Sequence, residues 1–267
     1  MIEAMDAFFE AISFPMEPFP SYGAVHILYT LIGFALCSLA AWKLRGVSDK
    51  TAGWILFSLG VLLGVSEVFK QLFYFFVMED NCYSWGDFPF QLCSVPMYLC
   101  LIAPWLKPGK LQRGMYSFMV LYNLLGGAIS FTEPSGLLLD HWFLTIHALV
   151  WHMLLVFIGL FLCFSKRGGN RKSDYAGATW TFITLCGVAF ALNCFVQLVL
   201  GKDMNMFFVG PGNSPLAVFS LFSQWFGWYI NTPIYMFAVC LGAYLVFVLI
   251  YWLQNRELPI GKKVAKV

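Results

Sequence analysis

Charge is what this sequence is short of. Asp, Glu, Lys and Arg make up 11% of its 267 residues, while 60% of the chain is hydrophobic. A soluble domain carries about 25% charged residues, so a water-soluble globular protein is excluded. The net charge of +2 gives no sign of a nucleic-acid partner, and none is expected. Phosphate loop, dinucleotide fingerprint and serine nucleophile elbow are all missing. The three His at 141, 147 and 152 are spaced by six and five, not the three or four that put two ligands on one helical face. No metal and no cofactor is therefore expected. The start, "MIEAMDAFFEAISFPMEPFP", is acidic and has no basic n-region, so the first membrane helix is expected to direct its own insertion.

Apolar residues come in long runs instead. A hydrocarbon core of about 30 Å takes about 20 apolar residues per helix. Segments at roughly 22–42, 52–78, 88–106, 113–132, 141–165, 175–200 and 233–254 meet that length. The expected fold is all-α, a polytopic bundle of seven transmembrane helices. The connections alternate in charge. "KLRGVSDK", "KPGKLQR", "SKRGGNRKSD" and the tail are basic; "MEDNCYSWGD", "TEPSGLLLD" and the start are not. The positive-inside rule then places the N-terminus outside and the C-terminus in the cytoplasm. This divides the chain into an acidic external segment 1–21, a membrane domain 22–254 and a basic cytoplasmic tail 255–267. Within 201–232, Ser220, Ser223, Gln224, Gly227 and Asn231 recur between aromatics, which reads as an interfacial or re-entrant amphipathic segment.

Topology gives each polar residue a depth. His26, Glu67, Lys70, Gln71, Gln91, Cys93, Ser94, His141, His147, Asn193 and Gln197 fall in the outer halves of their segments; Asn123 is near mid-depth. Polar side chains in hydrocarbon face a bundle interior or a water-filled cavity. A polar cavity opening outward, drawn from six helices, is the expectation. Glu67 and Lys70 are three apart and can pair, either to fix packing or to bind a lipid phosphate. Cys93 lies about 8 Å into its segment at about 1.5 Å per residue, level with His147. A thiol needs a base or a helix N-terminus to become a nucleophile, and a neutral imidazole is a natural base. Each also has a structural reading: a packed thiol, a hydrogen-bonded histidine. His152, five positions from His147, is expected to point elsewhere.

Seven of the eight Cys sit in apolar segments, where a free thiol packs as a small hydrophobe, so no disulfide framework is expected. One of them stands in a motif. "FPFQLCS" (88–94) resembles the Pro-Leu-His-Leu-Cys signature of the YwaF-type integral membrane proteins, the family that includes transmembrane protein 164. "LLGGAISFTEPS" (124–135), "HWFLTIHALV" (141–150) and "MNMFFVGPGNSPLAVFSLFSQWFGWYI" (204–230) are similar to further stretches of that family, in the same order. The resemblance implies an acyltransferase acting on phospholipids or other acyl lipids, multi-pass, in a bacterial plasma membrane. By position it makes Cys93 the acyl-carrying nucleophile and His147 its base. Glu67, Lys70, Gln91, His141, Asn193, Gln197, Asn205 and Gln224 are then candidates to bind or orient the substrate. Gln91 replaces the motif's His, Asn213 stands where a Lys often precedes Pro215, and Phe226 and Gly227 interrupt the Pro-Trp-Pro run. The alternative is a non-enzymatic protein that binds or transports a lipid or small molecule in the same cavity.

Overall fold

A computed structural model describes residues 2–255. The basic tail expected beyond Asn255 lies outside the described residues. Their regular structure is helical, with no strand among the described residues and one isolated β-bridge between Pro15 and His141. In chain order the helices are α1 (Ile2–Ala11), α2 (Ala24–Leu44), α3 (Asp49–Phe73), α4 (Val95–Ile102), α5 (Lys110–Phe118), α6 (Leu124–Ile129), α7 (Trp142–Phe164), α8 (Lys172–Val199), α9 (Ala217–Phe226) and α10 (Trp228–Asn255). α3 runs on through a π turn, Tyr74–Met78, and a second π turn, Met119–Asn123, joins α5 to α6.

Among the described residues, five helices are long and apolar enough to cross a membrane: α2, α3 with its π turn, α7, α8 and α10. The other two expected segments are shorter or broken. The one expected at 88–106 is helical only from Val95, as α4 plus a 3-10 turn at Ala103–Trp105. Residues 91–94 ahead of it are bend and turn. Pro96 explains the late start. It sits in the first turn of α4, where its missing N–H has no intrahelical role, so it opens the helix and does not break one. Non-helical backbone at membrane depth needs its polar groups satisfied by protein. Here side chains do it. Gln71 donates to the Asp87 carbonyl at 2.6 Å, Tyr98 to that of Pro89 at 2.8 Å and Trp151 to that of Cys93 at 3.0 Å.

Close helix contacts come from small residues. A Cβ on Gly60 would lie 3.0 Å from the Leu101 nitrogen, so α3 and α4 meet backbone to backbone there. Gly114 and Gly177 do the same for α5 and α8, at 3.2 Å from a carbonyl oxygen. The core between these helices is aromatic and aliphatic: Leu56, Leu63, Phe118, Tyr122, Leu155, Phe161 and Phe182 are fully buried.

The basic connections converge at one end. Arg167 donates to the Val47 carbonyl and the Asp49 carboxylate, both at 2.8 Å. Arg113 clamps Asp174 through two 2.7 Å hydrogen bonds and donates to Asn170 at 2.6 Å. The N-terminal segment sits at the other end. Met16 N donates to the Asp140 carbonyl at 2.8 Å and Tyr22 to that of Thr132 at 2.7 Å. α1 is not a loose acidic tail: Phe9 is buried against Phe69, Phe73 and Phe76.

Candidate functional site

A cavity of about 150 Å³ lies between α3, α7 and the turn before α4. Its polar lining is Glu67, Lys70 and Tyr74 from α3, Cys93 and Ser94 from the turn, and His147, Trp151 and His152 from α7. Thr145 shapes the wall. Its hydroxyl accepts from Leu139 N at 2.8 Å and donates to Leu139 O at 2.9 Å, folding the lining residue Leu139 back onto α7.

Lys70 and Glu67 are paired at 2.9 Å, with side chains 22% and 5% exposed. Gln71 adds a 2.8 Å hydrogen bond to the same carboxylate oxygen. That carboxylate is thereby committed to two donors on its own helix. Lys70 keeps donor capacity for something in the cavity, since an ammonium carries three protons.

Cys93 lies one residue ahead of Ser94, the N-cap of α4, and not in the first turns of a helix as expected. Trp151 holds it by the backbone and also stacks on His147, with ring centroids 5.3 Å apart and planes at 29°. His147 Nε2 is buried with no hydrogen-bond partner. An imidazole pinned by an aromatic face and with a free ring nitrogen is set up to exchange a proton.

Six of the eight expected substrate-orienting residues do not line this cavity, and four of the six act together elsewhere. Gln91, Asn193, Gln197 and Asn205 hold the connection after α8. Asn193 donates to Met206 O at 2.9 Å and accepts from Met206 N at 2.7 Å. Gln197 donates to Met204 O at 2.6 Å and to Pro211 O at 2.9 Å. Gln91 accepts from Phe207 N at 2.9 Å and donates to Asn205 O at 3.3 Å. Asn205 accepts from Gly210 N at 3.2 Å. The cause is that Met204, Met206, Phe207 and Val209 are buried, and buried backbone N–H and C=O groups outside a helix must find partners. Phe207 and Phe208 both have φ +56, left-handed backbone that a β-carbon disfavours.

His141 caps α7 and bonds to Asp140 at 2.9 Å, outside the lining. Gln224 is exposed on α9. Asn123 donates to Met119 O and Leu155 O, between two helices. The polar groups thus do not form one cavity from six helices; they divide into a chemical site and a loop anchor. Tyr74, Trp151 and His152 line the site although the sequence reasoning did not assign them there. Tyr74 is seven residues after Glu67 and Trp151 four after His147, spacings that return to the same helical face.

A second space, a groove of about 490 Å³ between α6, α7 and α10, is lined by Leu124, Leu125, Leu160, Val246, Leu249 and their neighbours. It is lined by neither a base nor a charge. Among the described residues no cluster of His, Cys, Asp and Glu could hold a metal ion.

These features define a multi-pass, all-helical membrane protein with a polar cavity carrying a thiol and two imidazoles. The chain belongs to the TMEM164 family, whose model matches residues 21–251. No curated protein matches the chain, and no solved structure does.

Proposed function

We propose that the protein is a membrane-embedded acyltransferase that moves a fatty acyl chain to or between phospholipids through a thioester on Cys93. The observation that carries this reading is that Cys93 and His147, far apart in sequence, line one small cavity together with the Lys70–Glu67 pair. His147 takes the thiol proton, the sulfur attacks the acyl ester carbonyl, and the leaving oxygen receives the proton back. Lys70 stabilises the oxyanion or holds the lipid phosphate. At about 150 Å³ the cavity has room for the reacting groups but not for two acyl chains, so the chains extend into the bilayer.

The family resemblance supports the activity, and Gln91 does not weaken it. The position where relatives carry His serves here to hold Phe207 and Asn205, and an imidazole for the thiol is supplied from α7. The proposed topology is seven crossings, with α4 and the α5–α6 run completing the five long helices, N-terminus outside and C-terminus cytoplasmic. The clustering of Arg113, Arg167 and the Val47–Asp49 turn at one end agrees with the positive-inside rule.

The test is acyl transfer by the purified protein in nanodiscs, with a hydroxylamine-labile label on Cys93 as the signature. Cys93→Ala is expected to fold and to lose both. Full transfer by that variant would refute the reading. An inert Cys93 in wild type would favour the binding or transport alternative.

A further inference from the structure

We infer that His152 is a second catalytic base, one that activates the acceptor hydroxyl, while His147 serves the thiol. This rests on the acyl-transfer reading above and divides between two residues what a single imidazole would otherwise do twice.

The first observation is placement. His147 and His152 are five residues apart on one helix, which at about 100° per residue separates them by roughly 140°. They should face different ways. Both line the same cavity, because it wraps around α7 across Ala148 and Trp151, which also line it. Cys93 and Lys70 complete the same lining.

The second observation fixes the proton. His152 Nδ1 lies 2.8 Å from the Ala148 carbonyl oxygen. A carbonyl only accepts, so Nδ1 carries the hydrogen, and in the neutral ring Nε2 is left with a lone pair. The ring is thus held in the tautomer that a general base needs, without a carboxylate orienting it. The carboxylate of this cavity, Glu67, is occupied by Lys70 and Gln71. His147 is held by other groups, the face of Trp151 and the backbone of Ser66 on α3. The two rings are held by separate means, so each can act while the other is engaged.

The chemistry has a step for each of two such groups. In the first half-reaction the thiol gives its proton to His147, the S–C bond forms and the donor's C–O bond breaks. The alkoxide leaves with the proton from His147. In the second, the acceptor hydroxyl approaches the thioester carbon while the sulfur still lies beside His147. Its proton passes to Nε2 of His152, the O–C bond forms and the S–C bond breaks. The departing thiolate takes up one proton as His152 gives up its own, which returns both groups to their starting state.

The full-length protein in nanodiscs tests this, with phosphatidylcholine carrying a labelled acyl chain as donor and lysophosphatidylethanolamine added afterwards as acceptor. His152→Asn keeps an N–H donor where Nδ1 stands, and so keeps the bond to Ala148, but lacks the Nε2 base. The expected result is that this variant forms the Cys93 thioester within about twofold of the wild-type rate and discharges it roughly 100-fold more slowly, the usual scale of a lost general base. Thioester then accumulates. His147→Asn should form none. His152→Gln gives a second reading of discharge if the Asn variant folds poorly. Wild-type discharge by either His152 variant, or failure of both to form the thioester at all, overturns the inference. No thioester in the wild-type protein with donor present overturns the acyl-enzyme reading itself, and the two failures are thereby told apart.

Discussion

Trp151 donates its indole N–H to the backbone carbonyl of Cys93 at 3.0 Å, which ties α7 to the turn that carries the thiol. The same ring stacks on His147. One side chain therefore sets both the height of the Cys93 turn and the tilt of the His147 ring. Small displacements of such pairs are costly: about 1 Å can remove a factor of about 100 in rate. Trp151→Phe keeps an aromatic face for His147 and loses only the donor. The expected outcome is a fall of roughly tenfold in the rate of thioester formation, with little change in melting temperature. Single-turnover labelling of Cys93 measures it. An unchanged rate would show that the turn is held by its other bonds alone.

Lys70 gives a prediction that separates binding from folding. Its ammonium pairs with Glu67 and is 22% exposed. Lys70→Met keeps the stem length and removes the charge. The carboxylate retains the Gln71 amide at 2.8 Å and Lys70 is partly exposed, so the destabilisation should not exceed that of a stranded buried charge, about 3–5 kcal/mol. Acyl transfer should fall much further, by roughly 100-fold or more, the scale of losing one oxyanion-hole donor. A haloacetamide should still label Cys93. Transfer that survived within a few-fold would remove Lys70 from the chemistry.

The five long helices were legible in the sequence because a run of about 20 apolar residues leaves few alternatives in a bilayer. The pairing of Glu67 with Lys70 was legible as well, from their spacing, and it is formed. Two things were hidden. The chain at 88–94 reads as membrane segment by composition, yet it is a turn. Its stability comes from Gln71, Tyr98 and Trp151, which reach it from distant points in the chain. Asn193 and Gln197 read as cavity residues because depth is all that sequence supplies. Depth does not say whether a polar side chain meets a substrate or a buried backbone. Here it meets backbone, because the connection after α8 folds inward.

Asn193 tests that distinction. It is 0% exposed and bonds both to N and to O of Met206. Asn193→Leu leaves Met206 N unsatisfied, which costs about 1–3 kcal/mol, while Met206 O keeps its bond from Val209 N at 3.4 Å. The expected loss is therefore about 1–3 kcal/mol in stability, read as a lower melting temperature in detergent. Thioester formation per folded molecule should stay near wild type, because Asn193 does not line the cavity. A selective loss of chemistry at full stability would instead move this residue into the site.

The clamp between Arg113 and Asp174 makes the opposite kind of prediction, a large effect far from the chemistry. Asp174 is 1% exposed by side chain. It accepts two hydrogen bonds from Arg113 at 2.7 Å and two from the backbone of Asn170 and Arg171, at 2.8 and 2.9 Å. It thereby caps α8 while pinning α5 to it. Arg113→Met strands a buried carboxylate, which costs about 3–5 kcal/mol. Removing the second partner as well should relieve part of that, since the uncompensated charge goes with it. Arg113→Met with Asp174→Asn is therefore expected to melt higher than Arg113→Met alone, although the double variant adds a mutation. Strict additivity of the two losses would mean that the pair contributes by packing and not by charge, and the difference in melting temperature between single and double variants decides between them.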